Sequence, residues 1–159
     1  MQSIDPKLQS AVWSRVQGAP CPEETAKGGA VSAEEVLQWM QDERDGCAVL
    51  QYLAGKACGK EAAQLRQMAA RRACHYRKLH TMYYLLTGQC VHLTAAQPDC
   101  TACLSEALRT AYQEERQRKQ RYEQAADRWP AMADEFYRMA ADDDCNSRRI
   151  RAMLCNRLS

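Results

Sequence analysis

Apolar residues recur along this chain at spacings of three and four, the mark of helices with one buried face. Ser32 opens the first long run. "SAEE" has the form of a capping box, with Ser32 at the N-cap and Glu35 three residues on. Val36, Met40, Glu43, Cys47, Leu50 and Ala54 share one face, and Gly55 and Gly59 mark the end. The second helix is predicted from about Glu61 to Thr87, with an inner row of Leu65, Met68, Arg72, His75, Leu79, Met82 or Tyr83, and Leu86. The third is predicted from about Thr101 to Arg128, with Leu104, Leu108, Ala111, Glu115, Arg118, Tyr122 and Ala125 aligned. Pro130 suits the first turn of a fourth, whose stripe is Met132, Phe136, Met139, Asp143, Asn146, Ile150 and Met153.

Residues 1–31 read as a separate preamble. Asp5-Pro6 starts a short helix carrying Leu8, Val12, Trp13 and Val16, followed by the loop "QGAPCPEETAKGGA". This short N-terminal helix is expected to dock weakly, through Trp13, on a bundle formed by residues 32–159. The predicted fold class is therefore all-α, an antiparallel four-helix bundle. The first-to-second and third-to-fourth links are short, which makes each pair a hairpin. The middle link, "GQCVHLTAAQPDC", has 13 residues. Extended at ~3.3 Å per residue it reaches roughly 43 Å, while a helix of ~25 residues is about 38 Å long. The link is long enough to cross the bundle from end to end, which is the ferritin-like arrangement of two hairpins and one long crossover.

Each of the four inner rows is interrupted near its middle by polar residues: Glu43, Arg72 and His75, Glu115 and Arg118, and Asp143 and Asn146. In an antiparallel bundle, mid-helix positions lie at similar heights, so these residues are expected to meet in one interior layer. Lone charges cannot be buried cheaply, so they must pair or hold an ion.

The spacing resembles the rubrerythrin branch of the ferritin-like di-iron carboxylate proteins. In that family the first and third helices each supply a glutamate, and the second and fourth each supply Glu-x-x-His. "DERDGCAVLQYLA" is similar to the family's first helix with Glu43 as ligand, and "EERQRKQRYEQAA" to its third with Glu115. "MAARRACHYRKL" looks like the second-helix pattern, with His75 at the histidine and Arg72 where glutamate belongs. "MAADDDCNSRRI" matches the fourth, with Asp143 at the glutamate and Asn146 at the histidine. The resemblance spans residues 33–155. It implies a ferritin-like fold, a metal site at Glu43, His75, Glu115 and Asp143, degenerate at Arg72 and Asn146, and a peroxide- or iron-oxidising ancestry. A homodimer is a further expectation of the resemblance.

Arg72 cannot coordinate iron, and Asn146 is a poor ligand. The expectation is a non-catalytic structural or interaction module, serving a protein partner that the residues do not identify. In it, Arg72 fills the old metal space and no cofactor is needed. The alternative is an oxidoreductase-type metal binder in which Glu43, His75, Glu115 and Asp143 hold one Fe, Mn or Zn ion and Arg72 swings outward.

Composition narrows the remaining classes. The 159-residue chain carries a formal net charge of +2, which argues against nucleic acid despite basic faces at Arg66, Arg71, Arg77 and Lys78 and at Arg116, Lys119 and Arg121. No apolar run nears the ~18–20 residues of a membrane span. The start has no apolar signal core, so a cytoplasmic location is expected. Nine scattered cysteines fit a reducing compartment better than a disulfide framework. Cys90, His92, Cys100 and Cys103 offer a second, zinc-type donor set in the crossover, and Cys100 with Cys103 a redox dithiol at the start of the third helix, capped by Asp99.

Overall fold

The computed structural model describes residues 29–157. The expected N-terminal helix, and its docking through Trp13, fall outside the described residues. Within them the chain is all-helical: α1 (Ala33–Lys56), α2 (Gly59–Thr87), α3 (Leu104–Arg128), a 3-10 turn (Pro130–Met132) and α4 (Ala133–Asn156). None of these helices is long and apolar enough to cross a membrane.

The caps account for most helix limits. The Ser32 hydroxyl accepts from Glu35 N–H at 3.2 Å, and the Glu35 carboxylate accepts from Ser32 N–H at 2.9 Å, closing the capping box. Arg128 from the end of α3 then grips the same Glu35 carboxylate at 2.7 Å, tying the start of α1 to α3. Gly88 ends α2 with φ +69°, a conformation that costs a residue with a Cβ but not glycine. Two boundaries differ from the sequence pattern. α1 continues through Gly55 to Lys56 and α2 starts at Gly59, so the first turn between hairpin arms is tighter than expected. α3 begins at Leu104 rather than Thr101, because the Asp99 carboxylate takes the Thr101 N–H at 2.8 Å and its hydroxyl at 2.6 Å in a local turn. Glu106 instead accepts the N–H of Cys103, the residue that caps α3, at 3.2 Å.

Two apolar clusters fill the bundle. One joins Trp39 and Met40 of α1, Leu79 and Met82 of α2, Tyr122 and Ala125 of α3, and Phe136 and Met139 of α4. The other joins Leu50 and Leu53, Leu65 and Met68, Leu108 and Ala111, and Ile150 and Met153. The pairing of early with late segments means that α1 and α4 run one way and α2 and α3 the other. α1 packs chiefly on α2, and α3 chiefly on α4. Each hairpin is therefore antiparallel, and the segment from Gln89 to Cys103 must return to the far end of the bundle. It does so along α1: Arg44 donates to Leu93 O at 3.2 Å, Gln41 to Thr94 O at 3.0 Å, and the Asp45 carboxylate accepts from Ala96 N–H at 2.7 Å. Leu86, expected on the inner row, is 42% exposed, because α2 runs on past the cluster it serves.

Replacing Ser32 by Ala removes one half of the capping box while Arg128 still holds Glu35. Thermal or urea unfolding is expected to show a loss of about 1 kcal/mol, and an unchanged midpoint would mean that the cap does not hold α1.

Candidate functional site

Between the two apolar clusters lies a layer of charged side chains, one or more from every helix. Glu43, Arg72, His75, Glu115, Arg118, Asp143 and Asn146 are all buried. Placing them there follows from helix geometry: each sits on the same stripe as the apolar residues three, four or seven positions away, so the packing that buries those residues buries the charges too.

Arg72 is the centre of the layer and is among the largest fully buried side chains. Its Nη1 donates to Glu43 Oε2 at 3.2 Å, and its Nη2 donates to Glu115 Oε1. One guanidinium thus bridges α1 and α3 from α2. Room for it comes from Gly46, one turn beyond Glu43. A Cβ built on Gly46 would stand 2.6 Å from Arg72 Nη1 and 2.8 Å from its Cζ. Burial works against the charge on Arg72, but the Glu115, Glu43 and Asp143 carboxylates outweigh it and raise its pKa further, so it stays cationic.

The carboxylates have further partners. Tyr122 donates its phenol proton to Glu43 Oε1 at 2.5 Å. Burial alone would lift Glu43, yet Arg72, His75 and Tyr122 hold its carboxyl below the ordinary value. Asn146 donates to Glu115 Oε2 at 3.3 Å, and Arg118 Nη2 lies 3.3 Å from Glu115 Oε1. Asn146 therefore acts here as a hydrogen-bond donor to a carboxylate. Its own carbonyl lies 3.4 Å from Arg71 Nη1.

His75 and Asp143 are less satisfied. His75 Nε2 meets the Asp142 carboxylate at 3.1 Å. Its Nδ1 faces Glu43 Oε1 at 3.4 Å and Asp143 Oδ1 at 3.9 Å, both long for a hydrogen bond. Asp143 is fully buried, and neither of its oxygens has a hydrogen-bond partner. Arg118 Nε stands 3.9 Å from Asp143 Oδ2, as far as His75 Nδ1 is from Oδ1. Burial disfavours the His75 imidazolium, but Glu43, Asp143 and Asp142 overcome it and push its pKa up to about 9. Burial, with Glu115 and Glu43 alongside, pushes Asp143 well above the carboxylate range.

Three of the four expected ligands come together. Among the described residues, only Glu43, His75 and Asp143 bring three metal-ligating atoms within 4.8 Å of one another. Glu115 stays outside this group, its oxygens being turned to Arg72, Arg118 and Asn146. Arg72 is inside the layer, not swung outward. The donor set in the crossover is spread out by comparison: Cys90, His92, Cys100 and Cys103 are all exposed and form no such group. A cleft of about 310 Å³ between α1 and α3 reaches the layer from outside, with Gly46 and Arg118 in its wall.

The sequence pattern did not reveal three contributors. Tyr122 was visible only as an aligned aromatic, Asp142 was hidden in "ADDDC", and Gly46 stood off the apolar stripe of the first helix and drew no reading. A glycine one turn from a buried glutamate, opposite a buried arginine, is the signal that would have found it. No protein-family model, curated protein or solved structure matches this chain.

Two predictions follow from this geometry. Gly46→Ala would ordinarily favour a helix by about 1 kcal/mol, but here it crowds Arg72 and is expected to cost roughly 1–3 kcal/mol. In an Arg72→Ala background the same change should be neutral or stabilising, so a double-mutant cycle by urea unfolding should show clear coupling, and additive effects would mean the two residues do not meet. The second concerns pH. The folded pKa of His75, about 9, lies above its ordinary 6.5, so its contribution to stability is complete below pH 6.5 and is lost as pH rises to 9. Asp143, also raised, acts in the same sense from its ordinary 3.8 upward. Stability is expected to decline from pH 6.5 to 9, and His75→Gln should flatten that decline.

Proposed function

We propose that this chain is a rubrerythrin-like, ferritin-like bundle whose di-iron site has been replaced by a buried arginine–carboxylate layer, and that it serves as a non-catalytic structural or interaction module. The observation that carries this reading is the bridging position of Arg72. Two irons in such a bundle require bridging carboxylates from the second and fourth helices. One of those positions is a guanidinium already bonded to Glu43 and Glu115, and the other is the shorter Asp143. Asn146, at a histidine position, donates to Glu115 instead of offering a nitrogen lone pair. A di-iron centre does not fit these residues. Charge supports the same reading: the Arg72 and Arg118 guanidinium groups stand against the Glu43 and Glu115 carboxylates without any ion. The order of helices, with one long connection running along α1, agrees with the ferritin-like arrangement.

A second reading has its own support. Glu43, His75 and Asp143 could hold one Fe, Mn or Zn ion through two oxygens and Nδ1, with Asp142 accepting from Nε2–H and orienting the ring, as partners of ligating histidines commonly do. The unpartnered oxygens of Asp143 favour it. In this case the site would supply a Lewis acid beside Tyr122, with Arg72 limiting it to a single metal.

Elemental analysis separates the two. Untagged protein purified without chelator is expected to hold close to no metal, with Arg72→Ala losing roughly 3–5 kcal/mol of stability as its carboxylates are stranded. About one metal per chain, lost in His75→Ala, would overturn the first reading in favour of the second.

A further inference from the structure

The α3–α4 hairpin carries a groove with a cavity of about 550 Å³, a volume within the ~300–1,000 Å³ of small-molecule sites. None of the residues lining it belongs to the buried charged layer, so it stands apart from any chemistry there. The two helices are antiparallel, and Lys119 meets Asp144 across them at 3.3 Å. One turn further along, Arg116 comes opposite Arg148, and one turn beyond that Tyr112 comes opposite Arg151. The cations Arg116, Lys119, Arg148 and Arg151 thus share two turns of groove, a length of roughly 10 Å.

The two carboxylates of the groove are already committed. Asp144 is paired with both Lys119 and Arg148, and Glu123 lies 3.7 Å from Lys119. Arg116 and Arg151 are left over. Arg116 donates to the Tyr112 hydroxyl at 3.4 Å, with its guanidinium carbon 5.9 Å from the centre of the Tyr112 ring, so it is held in place without an acid to neutralise it. Arg151 has no carboxylate partner among the described residues. The groove therefore has a surplus of two positive charges. A phosphate monoester carries about −1.5 to −2 at pH 7 and matches that surplus, whereas a carboxylate supplies half of it. The planar donor fork of a guanidinium also fits phosphate oxygens in pairs. No aliphatic side chain lines the groove, so it lacks the apolar centre of a protein–protein contact. Glu123 closes the cationic run at one end, and the length that remains is that of one small molecule rather than a track for a nucleic-acid backbone.

We propose that the α3–α4 groove binds a small phosphate-bearing molecule, with Arg116 and Arg151 holding the phosphate and Arg148 beside them. The bound dianion relieves the repulsion between cations that the groove's own acids leave unmatched. The site goes beyond the function proposed above and is independent of whether the interior layer holds a metal.

Nitrogen-15 NMR of the arginine side chains tests this, with inorganic phosphate as the probe at pH 7 and the ionic strength held constant with sodium chloride. The Nε–H signals of Arg116 and Arg151 should shift and saturate with phosphate, while that of Arg138, an exposed arginine on α4 outside the groove, stays in place. The double variant Arg116→Gln, Arg151→Gln should bind phosphate at least tenfold more weakly. Asp144→Asn frees Lys119 and Arg148 for the ligand and should bind several-fold more tightly, a gain that a damaged fold would not produce. Shifts that sodium chloride alone reproduces would overturn the inference, as would a double variant that binds like the parent or an Asp144→Asn variant that binds no more tightly. An oligonucleotide that displaces phosphate at far lower concentration would also overturn it, making the groove part of a nucleic-acid surface.

Discussion

A guanidinium taken from water into the middle of a helical bundle must find carboxylates, and those carboxylates must then be where the guanidinium reaches. Arg72 meets this constraint through Glu43 on α1 and Glu115 on α3. Three helices are thereby held at one relative height. Sliding any of them by a turn, about 5.4 Å, would separate charges that have no water to fall back on. Apolar side chains tolerate such slippage far better, since one leucine can replace another. The two apolar clusters above and below supply the driving force for assembly, and the layer between them selects the register in which assembly ends.

The layer is uneven. On the side of Arg72 most groups are matched: two of its nitrogens donate to two glutamates, Tyr122 and Asn146 donate to the other carboxylate oxygens, and the Arg72 Nε is left without an acceptor. On the side of His75 and Asp143 they are not. Asp143 keeps two oxygens without a donor, and His75 is drawn toward the protonated state by three carboxylates. Stability and chemistry therefore divide between neighbours in one plane. The matched side behaves as a fixed strut. The unmatched side is where a proton or a cation changes the energy of the layer most, and it faces the same interior as the phenol of Tyr122.

Much of this was legible in the sequence because helical periodicity carries it. The stripes of apolar residues placed the four helices, and the polar interruptions at Glu43, Arg72, His75, Glu115, Arg118, Asp143 and Asn146 all became buried. Periodicity says which residues share a face but not how a flexible side chain is used there. So it could not decide whether Arg72 turned inward, nor that Glu115 would be claimed by Arg72, Arg118 and Asn146 and leave the group formed by Glu43, His75 and Asp143. Helix starts were the other weak point. Asp99 had the right chemistry for an N-cap but spent it on Thr101, and α3 began three residues later than expected. Gly46 was the least visible contributor, because its role is to be absent from the space that Arg72 occupies.

The central claim is that Arg72 bridges Glu43 and Glu115 in the resting protein, and nitrogen-15 NMR of the arginine side chains addresses it most directly. A guanidinium bonded through both terminal nitrogens rotates slowly about its Cζ–N bonds. The account predicts separate, protected Nη signals for Arg72, assigned by their loss in Arg72→Lys, that do not move when Zn, Mn or Fe is added. A single averaged Nη signal, or separate signals that collapse on adding metal, would contradict it and place Arg72 outside the layer.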